Sequence, residues 1–404
     1  MTDANFLNGT IYADNAATTK IDEDVLALMI ELQKKYFSNP SSAYKLSRPL
    51  RKILSESREK IANCINAKAE EIYFTSGGTE SNNWAIKNFI LANLNEKPSI
   101  ITSSVEHKSV LNSCLAMKKF FGTKVIKLPV NNFGEVNPED LRKKLKNHRQ
   151  IISIMTANNE IGTIQPIKKL AEISHECGKV FHTDAVQAIG HIPIDVKDLG
   201  ADMLSASAHK FNGPKGTGFL YVEKNFSLFP YIDGGSQEMN RRGGTENVPA
   251  IAAMALALEK NCREMRKNAE KLSTLAEILI NRLQNNNLNF IINGGENRLP
   301  GHLSLSFADE DGEVLMNRLD LKNICVSIGS ACNSKSQIIS HVLKAVKISK
   351  SYIRGTIRIT FGKENTSEEA ENIAENLLKI FRKYSCYPCD NLANPAKHNQ
   401  SQNF

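Results

Sequence analysis

Three short segments carry residue types that can do chemistry together. The first is Ser76-Gly77-Gly78-Thr79-Glu80-Ser81-Asn82-Asn83, which follows the apolar run Ile72-Tyr73-Phe74. Paired glycines let a backbone approach an anion, and a helix opening just after them aims free N–H groups at it. Thr79 adds a hydroxyl. An ordinary strand-to-helix turn has the same composition, so this segment proposes a phosphate site and no more. The second is His182-Thr183-Asp184-Ala185-Val186-Gln187, at the carboxyl end of an apolar run, where ligand sites of α/β proteins collect. An aspartate there can cap a sheet end, ligate a metal, or hold a pyridinium nitrogen protonated so that a bound ring becomes a better electron sink. The third is Ser205-Ala206-Ser207-Ala208-His209-Lys210, followed by Gly213-Pro214-Lys215-Gly216-Thr217-Gly218. Lys210 stands among small residues after the apolar pair Met203-Leu204, a setting in which a desolvated Schiff-base lysine can be held. A phosphate cradle, a strand-end aspartate and a sequestered lysine in this order form a coherent constellation for pyridoxal phosphate.

Residues 70 to 222 supply the elements that would position these groups. Short β-rich runs recur at Ile72 to Phe74, Ile100 to Thr102, Val125 to Leu128, Ile151 to Met155, Val180 to His182, Met203-Leu204 and Gly218 to Val222. Helical stretches separate several of them. In Pro166 to Gly178, Ile167, Leu170, Ala171, Ile173, Ser174 and Cys177 make a face of period 3.6, with proline at its start and glycine at its end. Such alternation predicts a largely parallel α/β sheet with helices on both faces. Glu23 to Phe37, Arg48 to Ile65 and Val248 to about Asn285 read as further helices. From Phe290 to about Tyr384, β segments at Leu303 to Phe307 and Thr356 to Phe361 mix with two or three helices, which predicts a smaller α+β domain. The last stretch, 386–404, is rich in Asn, Pro and Gln and reads as a disordered tail.

Composition excludes several other classes. At 41% hydrophobic and 23% charged, the chain has the balance of a soluble globular protein. Its longest apolar stretches, such as Ile251 to Leu258, are too short to span a bilayer. Met1-Thr2-Asp3-Ala4-Asn5 lacks a basic stretch and an apolar run, so no secretory signal is expected, and its acid and lack of Arg argue against a transit peptide. A cytoplasmic location is the simplest expectation. The net charge of +8 is dispersed, with clusters such as Arg142-Lys143-Lys144 beside acids, and reads as a solvated surface and not a nucleic-acid patch. Eight cysteines lie far apart except for Cys386 and Cys389, which predicts reduced thiols and no disulfide framework. That CxxC has no second ligand pair nearby, so no metal site is expected.

Cys332 stands apart from the other thiols. Cys64, Cys114, Cys177, Cys262 and Cys325 read as buried small hydrophobes. Cys332 is preceded by Ser327, Gly329, Ser330 and Ala331 and followed by Asn333-Ser334-Lys335-Ser336, a polar loop in which a thiol can be exposed and swing. Lys335 would favour its thiolate.

Together these motifs resemble the class V aminotransferase family. The resemblance rests on Tyr12-Ala13-Asp14-Asn15-Ala16-Ala17-Thr18-Thr19, Ser76 to Asn83, Glu106-His107, Asn158-Asn159-Glu160-Ile161-Gly162, His182 to Gln187, His209-Lys210 and Arg242-Gly243-Gly244-Thr245-Glu246-Asn247. Gly329-Ser330-Ala331-Cys332 narrows it to the group I cysteine desulfurases, and the motifs run from residue 11 to about 362. The resemblance implies the fold of the type I pyridoxal-phosphate transferases, with a mainly parallel seven-stranded sheet. It places an N-terminal segment (1–20) against a small domain (261–385), a large cofactor domain at 21–260, and a tail at 386–404. It implies that Lys210 binds the cofactor covalently, Asp184 pairs with the ring nitrogen, Gln187 bonds the ring hydroxyl and His107 stacks on the ring and moves protons. Gly78, Thr79, Ser207 and His209 would hold the phosphate, with Thr245 reaching across from the other subunit of a homodimer. Asn159 would lie beside the ring, and Arg358 would clamp the substrate carboxylate with Asn15 nearby.

The implied reaction converts L-cysteine to L-alanine and leaves the sulfur as a Cys332 persulfide for an acceptor protein, in iron–sulfur cluster assembly or in thiolation of tRNA or another target. Neither a membrane nor direct binding to nucleic acid is expected. Three positions depart from the family pattern: Tyr44 after Asn39-Pro40-Ser41-Ser42, Ile328 before Gly-Ser-Ala-Cys, and Ile338-Ile339-Ser340-His341 without a proline. None is a residue of the chemistry, and the last two bear on acceptor choice and loop mobility. A selenocysteine lyase shares these motifs, and turnover of cysteine against selenocysteine separates the two. A catalytically silent scaffold has no need of Lys210, Asp184, Gln187, His107, Cys332 and Arg358 together, and an ordinary aminotransferase has no need of the cysteine loop.

Overall fold

The computed structural model describes residues 9–226, 228–328 and 339–385. Cys332, Cys386 and Cys389 lie outside the described residues. In chain order come β1 (Ile11–Tyr12), α1 (Glu23–Lys35), α2 (Arg48–Cys64), β2 (Ile72–Thr75), α3 (Gly78–Ala92), β3 (Ser99–Ser103), α4 (Lys108–Phe121) and β4 (Lys124–Leu128). Next are α5 (Pro138–Lys144), β5 (Gln150–Ser153), α6 (Ile167–Glu176), β6 (Val180–Asp184), α7 (Val196–Leu199), β7 (Met203–Ser207), β8 (Gly218–Val222) and α8 (Gln237–Asn240). The rest comprises α9 (Val248–Asn285), β9 (Phe290–Ile292), β10 (His302–Phe307), α10 (Gly312–Asp320), β11 (Ile324–Cys325), α11 (His341–Ala345), α12 (Lys350–Ile353), β12 (Thr356–Thr360) and α13 (Ser367–Ser385).

Seven strands form one sheet in the order β2-β8-β7-β6-β5-β3-β4. Only β8 runs against the others, pairing antiparallel with both β2 and β7. Period-two alternation along buried strands divides the apolar residues between the faces. Ile100, Ile151, Val180, Met203 and Leu220 pack under α3 and α4. Ile101, Ile152 and Phe181 pack against α5 and α6, and Leu204, Phe219 and Tyr221 against α2 and α9. The helix read between Pro166 and Gly178 forms as α6, and Gly178 at φ +65° takes the left-handed turn that ends it.

Strand β7 extends beyond its apolar start through Ser205-Ala206-Ser207. Small residues have little strand preference of their own, but pairing of Ser205 with β6 and of all three residues with β8 carries the strand on. That extension carries Ser207 to the sheet end.

A second core surrounds the antiparallel sheet β12-β10-β9, with α10, α13 and the far part of α9. Four helices follow β10 against the two or three that the sequence predicts, because α11 and α12 are too short to display a period. Helix α9 runs unbroken through residue 260 for 38 residues, roughly 57 Å at helical rise. Val248 to Leu258 serves the first core, and Leu272 to Leu283 serves the second. Residues of the N-terminal segment join the second core, where β1 pairs parallel with β11 and Ile11 and Ala13 are buried. Among the described residues no helix is long and apolar enough to cross a membrane.

Gly218 opens β8 opposite Thr75, and a Cβ there would stand 2.7 Å from Gly77 Cα. Gly218→Ala is expected to cost about 1–3 kcal/mol by overpacking against backbone. A urea unfolding midpoint equal to that of the wild type would contradict this.

Candidate active site

Loops at the carboxyl ends of β2, β3, β5, β6 and β7 enclose a cavity of about 530 Å³. It is lined by Gly78, Thr79, His107, Asn159, Asp184, Gln187, Ser207, His209, Lys210 and Arg358 among others. In a parallel sheet these ends lie on one side, so residues far apart in sequence converge there.

The glycine segment makes the narrow end. Gly77 has φ +143°, a conformation open to glycine, and α3 begins at the next residue. A Cβ on Gly78 would fall 2.5 Å from Val186 Cγ2, so only a bare backbone fits between α3 and the loop after β6. The first N–H groups of this 15-residue helix have no partner within it and suit an anion, beside Ser207 and His209. Glu80 in the same turn is paired with Arg242 at 2.9 and 3.2 Å, so its charge is balanced. Burial opposes ionisation of Glu80, but Arg242 and Ser76 outweigh it and hold its pKa below the ordinary value.

Asp184 is buried at the end of β6. Its Oδ1 accepts from Val186 N–H at 3.0 Å and its Oδ2 from Asn82 Nδ2 at 2.7 Å. The same Asn82 nitrogen donates to Ser109 Oγ at 2.8 Å, and that hydroxyl lies 2.8 Å from His107 Nδ1. Burial lowers the His107 pKa below its usual value, with Asp184 opposing and Lys210 and Lys108 assisting. His182, two residues earlier on β6, bridges Ser153 and Ser205 across the sheet, and burial pushes its pKa down to about 3.

Lys210 Nζ donates to the carbonyls of Ala16 and Ala17 at 2.6 and 2.8 Å. Gln187 Nε2 donates to Ala16 O at 2.9 Å, and His209 Nδ1 lies 3.1 Å from Thr18 Oγ1. The N-terminal segment is therefore the seat on which the lysine end of the cavity is built. Burial, with the charges of Lys210 and Lys215, lowers the His209 pKa to about 4.

Arg358 enters from β12 of the second core. It donates from one terminal nitrogen to Asn159 O at 2.8 Å and from the other to Asp14 Oδ1 at 2.6 Å. Its Nε is buried and has no acceptor among the described residues. Asn15 does not line this cavity; its amide donates to Thr360 O at 3.0 Å and Tyr12 O at 3.4 Å. Thr245 is exposed on the loop before α9, also outside the lining.

Both described ends of the segment that contains Cys332 are fastened at this cavity. Ser327 exchanges backbone hydrogen bonds with Arg358 at 3.0 and 2.6 Å. On the other side Ser340 Oγ donates to Glu160 at 2.5 Å, and His341 Nε2 lies 3.0 Å from Glu106 O. Asp14, Asn82, Glu106, Glu160 and Arg242 stand in the sequence motifs without an assigned role. Of these, Asn82 had a usable signal: it lies one helical turn beyond Gly78 and so shares its face.

The donor set suits a group with an anionic end at α3 and a basic ring nitrogen at Asp184. The chain matches the aminotransferase class-V family over residues 11–373. It belongs to that family. Within the class V aminotransferases it groups with the cysteine desulfurases. It is 46% identical over 374 residues to a cysteine desulfurase IscS of Dictyoglomus turgidum, covering 92% of this chain and 95% of that one. A solved NifS-like protein superposes with a TM-score of 0.87 at 37% identity, covering 93% of this chain and 100% of the other. SspA, solved in complex with cysteine, superposes with a TM-score of 0.78 at 36% identity over 87% of this chain and 99% of that one.

Two buried carboxyls bordering this class V site give it a pH signature. Burial raises Glu160 to about 7, against Ser340, Arg358 and Lys108, and raises Glu106 to about 8, against Ser103 and Met155. Each folded pKa exceeds the model-peptide value of 4.5, so each proton is held more tightly in the folded state. The stability they contribute is present below the unfolded pKa and lost as pH rises through the folded values. Glu160→Gln keeps an acceptor for Ser340 and is expected to flatten the fall in Tm between pH 4.5 and about 7. An identical slope in Tm against pH would refute the assignment to Glu160.

Proposed function

We propose that this chain is a pyridoxal-phosphate-dependent cysteine desulfurase that converts L-cysteine to L-alanine and passes the sulfur on from Cys332. The observation that carries the reading is the convergence of Lys210, Asp184 and the glycine cradle with the Arg358 guanidinium in one cavity. Gly78, Thr79, Ser207 and His209 would hold the cofactor's phosphate, Lys210 would bind it covalently through Nζ, and Asp184 would face its ring nitrogen. Gln187 would bond the ring hydroxyl, with Asn159 beside the ring and His107 over it. When bound, the cofactor supplies an electron sink for negative charge developing at the substrate's α-carbon.

Arg358 would take the substrate carboxylate. The hydrogen left on each of its two terminal nitrogens, beyond those given to Asn159 O and Asp14 Oδ1, can grip the two carboxylate oxygens at once. Asn15 supports that end of the site through the backbone of Thr360, two residues along β12. The Cys332 thiolate would attack the substrate sulfur. An S–S bond forms and the C–S bond breaks; its electron pair stays on the carbon side, which takes up a proton and leaves as alanine. Ser327, paired with Arg358, and Ser340, bonded to Glu160, would keep the two ends of the Cys332 segment beside the substrate.

The working form would be a homodimer. Thr245 is exposed and outside this cavity, a placement suited to serving the partner's phosphate site. The persulfide would go to an acceptor protein, an iron–sulfur scaffold or a sulfur-relay protein for tRNA or other thiolation, in the cytoplasm.

Incubation with L-cysteine is expected to yield alanine and add the mass of one sulfur to the Cys332 peptide. Cys332→Ser is expected to abolish both. A Cys332→Ser enzyme making alanine at the normal rate would remove Cys332 from the chemistry. Arg358→Lys loses the bidentate fork and is expected to raise KM for cysteine about 10- to 100-fold, the worth of a charged hydrogen bond of about 1.5–3 kcal/mol. An unchanged KM would take Arg358 away from the substrate.

A further inference from the structure

His107 caps α4 and lines the cavity with one edge of its ring already committed. Its Nδ1 accepts from Ser109 N–H at 3.2 Å and lies 2.8 Å from Ser109 Oγ. The direction of the second contact is decided at Asp184. An ionised carboxylate only accepts, so the Asn82 atom 2.7 Å from Asp184 Oδ2 has to be the amide nitrogen. That nitrogen's second hydrogen goes to Ser109 Oγ at 2.8 Å. Ser109 Oγ then accepts from Asn82, and its own single hydrogen is free to point at His107 Nδ1. Two donors thus face Nδ1, and a neutral imidazole receiving them carries its hydrogen on the other nitrogen.

Asn82 shows that this order is imposed. Its Oδ1 is buried and has no partner among the described residues. A buried carbonyl left unsatisfied is costly, so a stronger demand has to hold the amide this way round. The Asp184 carboxylate is that demand. The neutral ring is also the relevant form, because burial holds the His107 pKa below its usual value. Among the described residues the His107 ring is hydrogen-bonded at Nδ1 alone.

We infer that Asp184, acting through Asn82 and Ser109, fixes His107 as the Nε2–H tautomer, so that the ring offers bound substrate a hydrogen-bond donor and not a base. Asn82 and Ser109 are positioning residues in this arrangement. An Nε2–H donor matches an anionic atom of the substrate. Only the identity of that substrate, L-cysteine, rests on the desulfurase reading; the tautomer stands on the hydrogen bonds alone.

The test reads the ring directly. Holoenzyme labelled with nitrogen-15 in its nine histidines is recorded by two-bond nitrogen–proton correlation at a pH well above the ring's pKa, and His107→Gln assigns the signal. The wild type is expected to show Nδ1 bare and Nε2 protonated. Ser109→Ala removes the hydroxyl donor and leaves only the longer backbone N–H contact of 3.2 Å, and Asn82→Ala frees that hydroxyl to turn, so each is expected to admit a share of the Nδ1–H tautomer. Ser109→Thr keeps the hydroxyl and is expected to restore the single Nε2–H state. With cysteine as substrate, the two alanine variants are expected to lower kcat about 10- to 100-fold, as for a misplaced catalytic group, with KM little changed. A wild-type ring protonated at Nδ1 would overturn the inference. So would an Nε2–H tautomer that persists in both alanine variants. The spectra need no substrate, so a wild type with the Nε2–H tautomer that makes no alanine from cysteine sinks the desulfurase reading and leaves this one intact.

Discussion

A carboxylate buried at the end of the central strand has to be met by donors, since an unpaired charge there would cost several kcal/mol. Asp184 is that carboxylate: 4% exposed, on the fourth of seven strands. Its two hydrogen bonds come from Val186 in its own turn and from Asn82 on α3. Helix α3 must therefore lie close enough for Asn82 to reach across. That approach leaves no room for a side chain at Gly78, where a Cβ would meet Val186. The glycines that make the anion cradle are thus the ones that admit the helix to the aspartate. Cradle and carboxylate form one construction, and the hydroxyl of Ser109 and the ring of His107 are its continuation.

The opposite wall is held by a different kind of contact. Arg358, 4% exposed on β12, brings a cation from the second core to the carboxyl end of the sheet, where Asp14 and Asn159 O meet it. Removing one partner from a buried pair of this kind commonly costs 3–5 kcal/mol because the other is stranded. Asp14 belongs to the same N-terminal stretch whose carbonyls seat Lys210. The stretch from Asp14 to Thr18 is therefore shared by the two cores, while α9 runs through both. A cavity built across such a junction gains its shape from the packing of both cores.

Much of this was legible in the amino-acid order. Gly77-Gly78, Asp184 and Lys210 each follow an apolar strand, and strand ends in a parallel sheet fall on one side, so their convergence could be anticipated. The Ser-Ala-Ser extension of β7 could not, because its strand state comes from pairing with β8 and, at Ser205, with β6. Long-range pairings were equally hidden. Glu160 meets Ser340 across 180 positions of the chain and Asp14 meets Arg358 across 344, and no local periodicity announces either. Asn82 was half visible, on the right helical face but without its partner. The resemblance sets Asn15 near the substrate carboxylate, and in the structure its amide is engaged by the backbone of Tyr12 and Thr360.

The central claim is that the strand ends assemble a cofactor site whose covalent anchor is Lys210. Borohydride reduction of the holoenzyme, followed by digestion and mass mapping of the lysine that carries the cofactor, tests it most directly. The account predicts the cofactor on the peptide containing Lys210 and nowhere else. Label on another lysine, or on none, would contradict it.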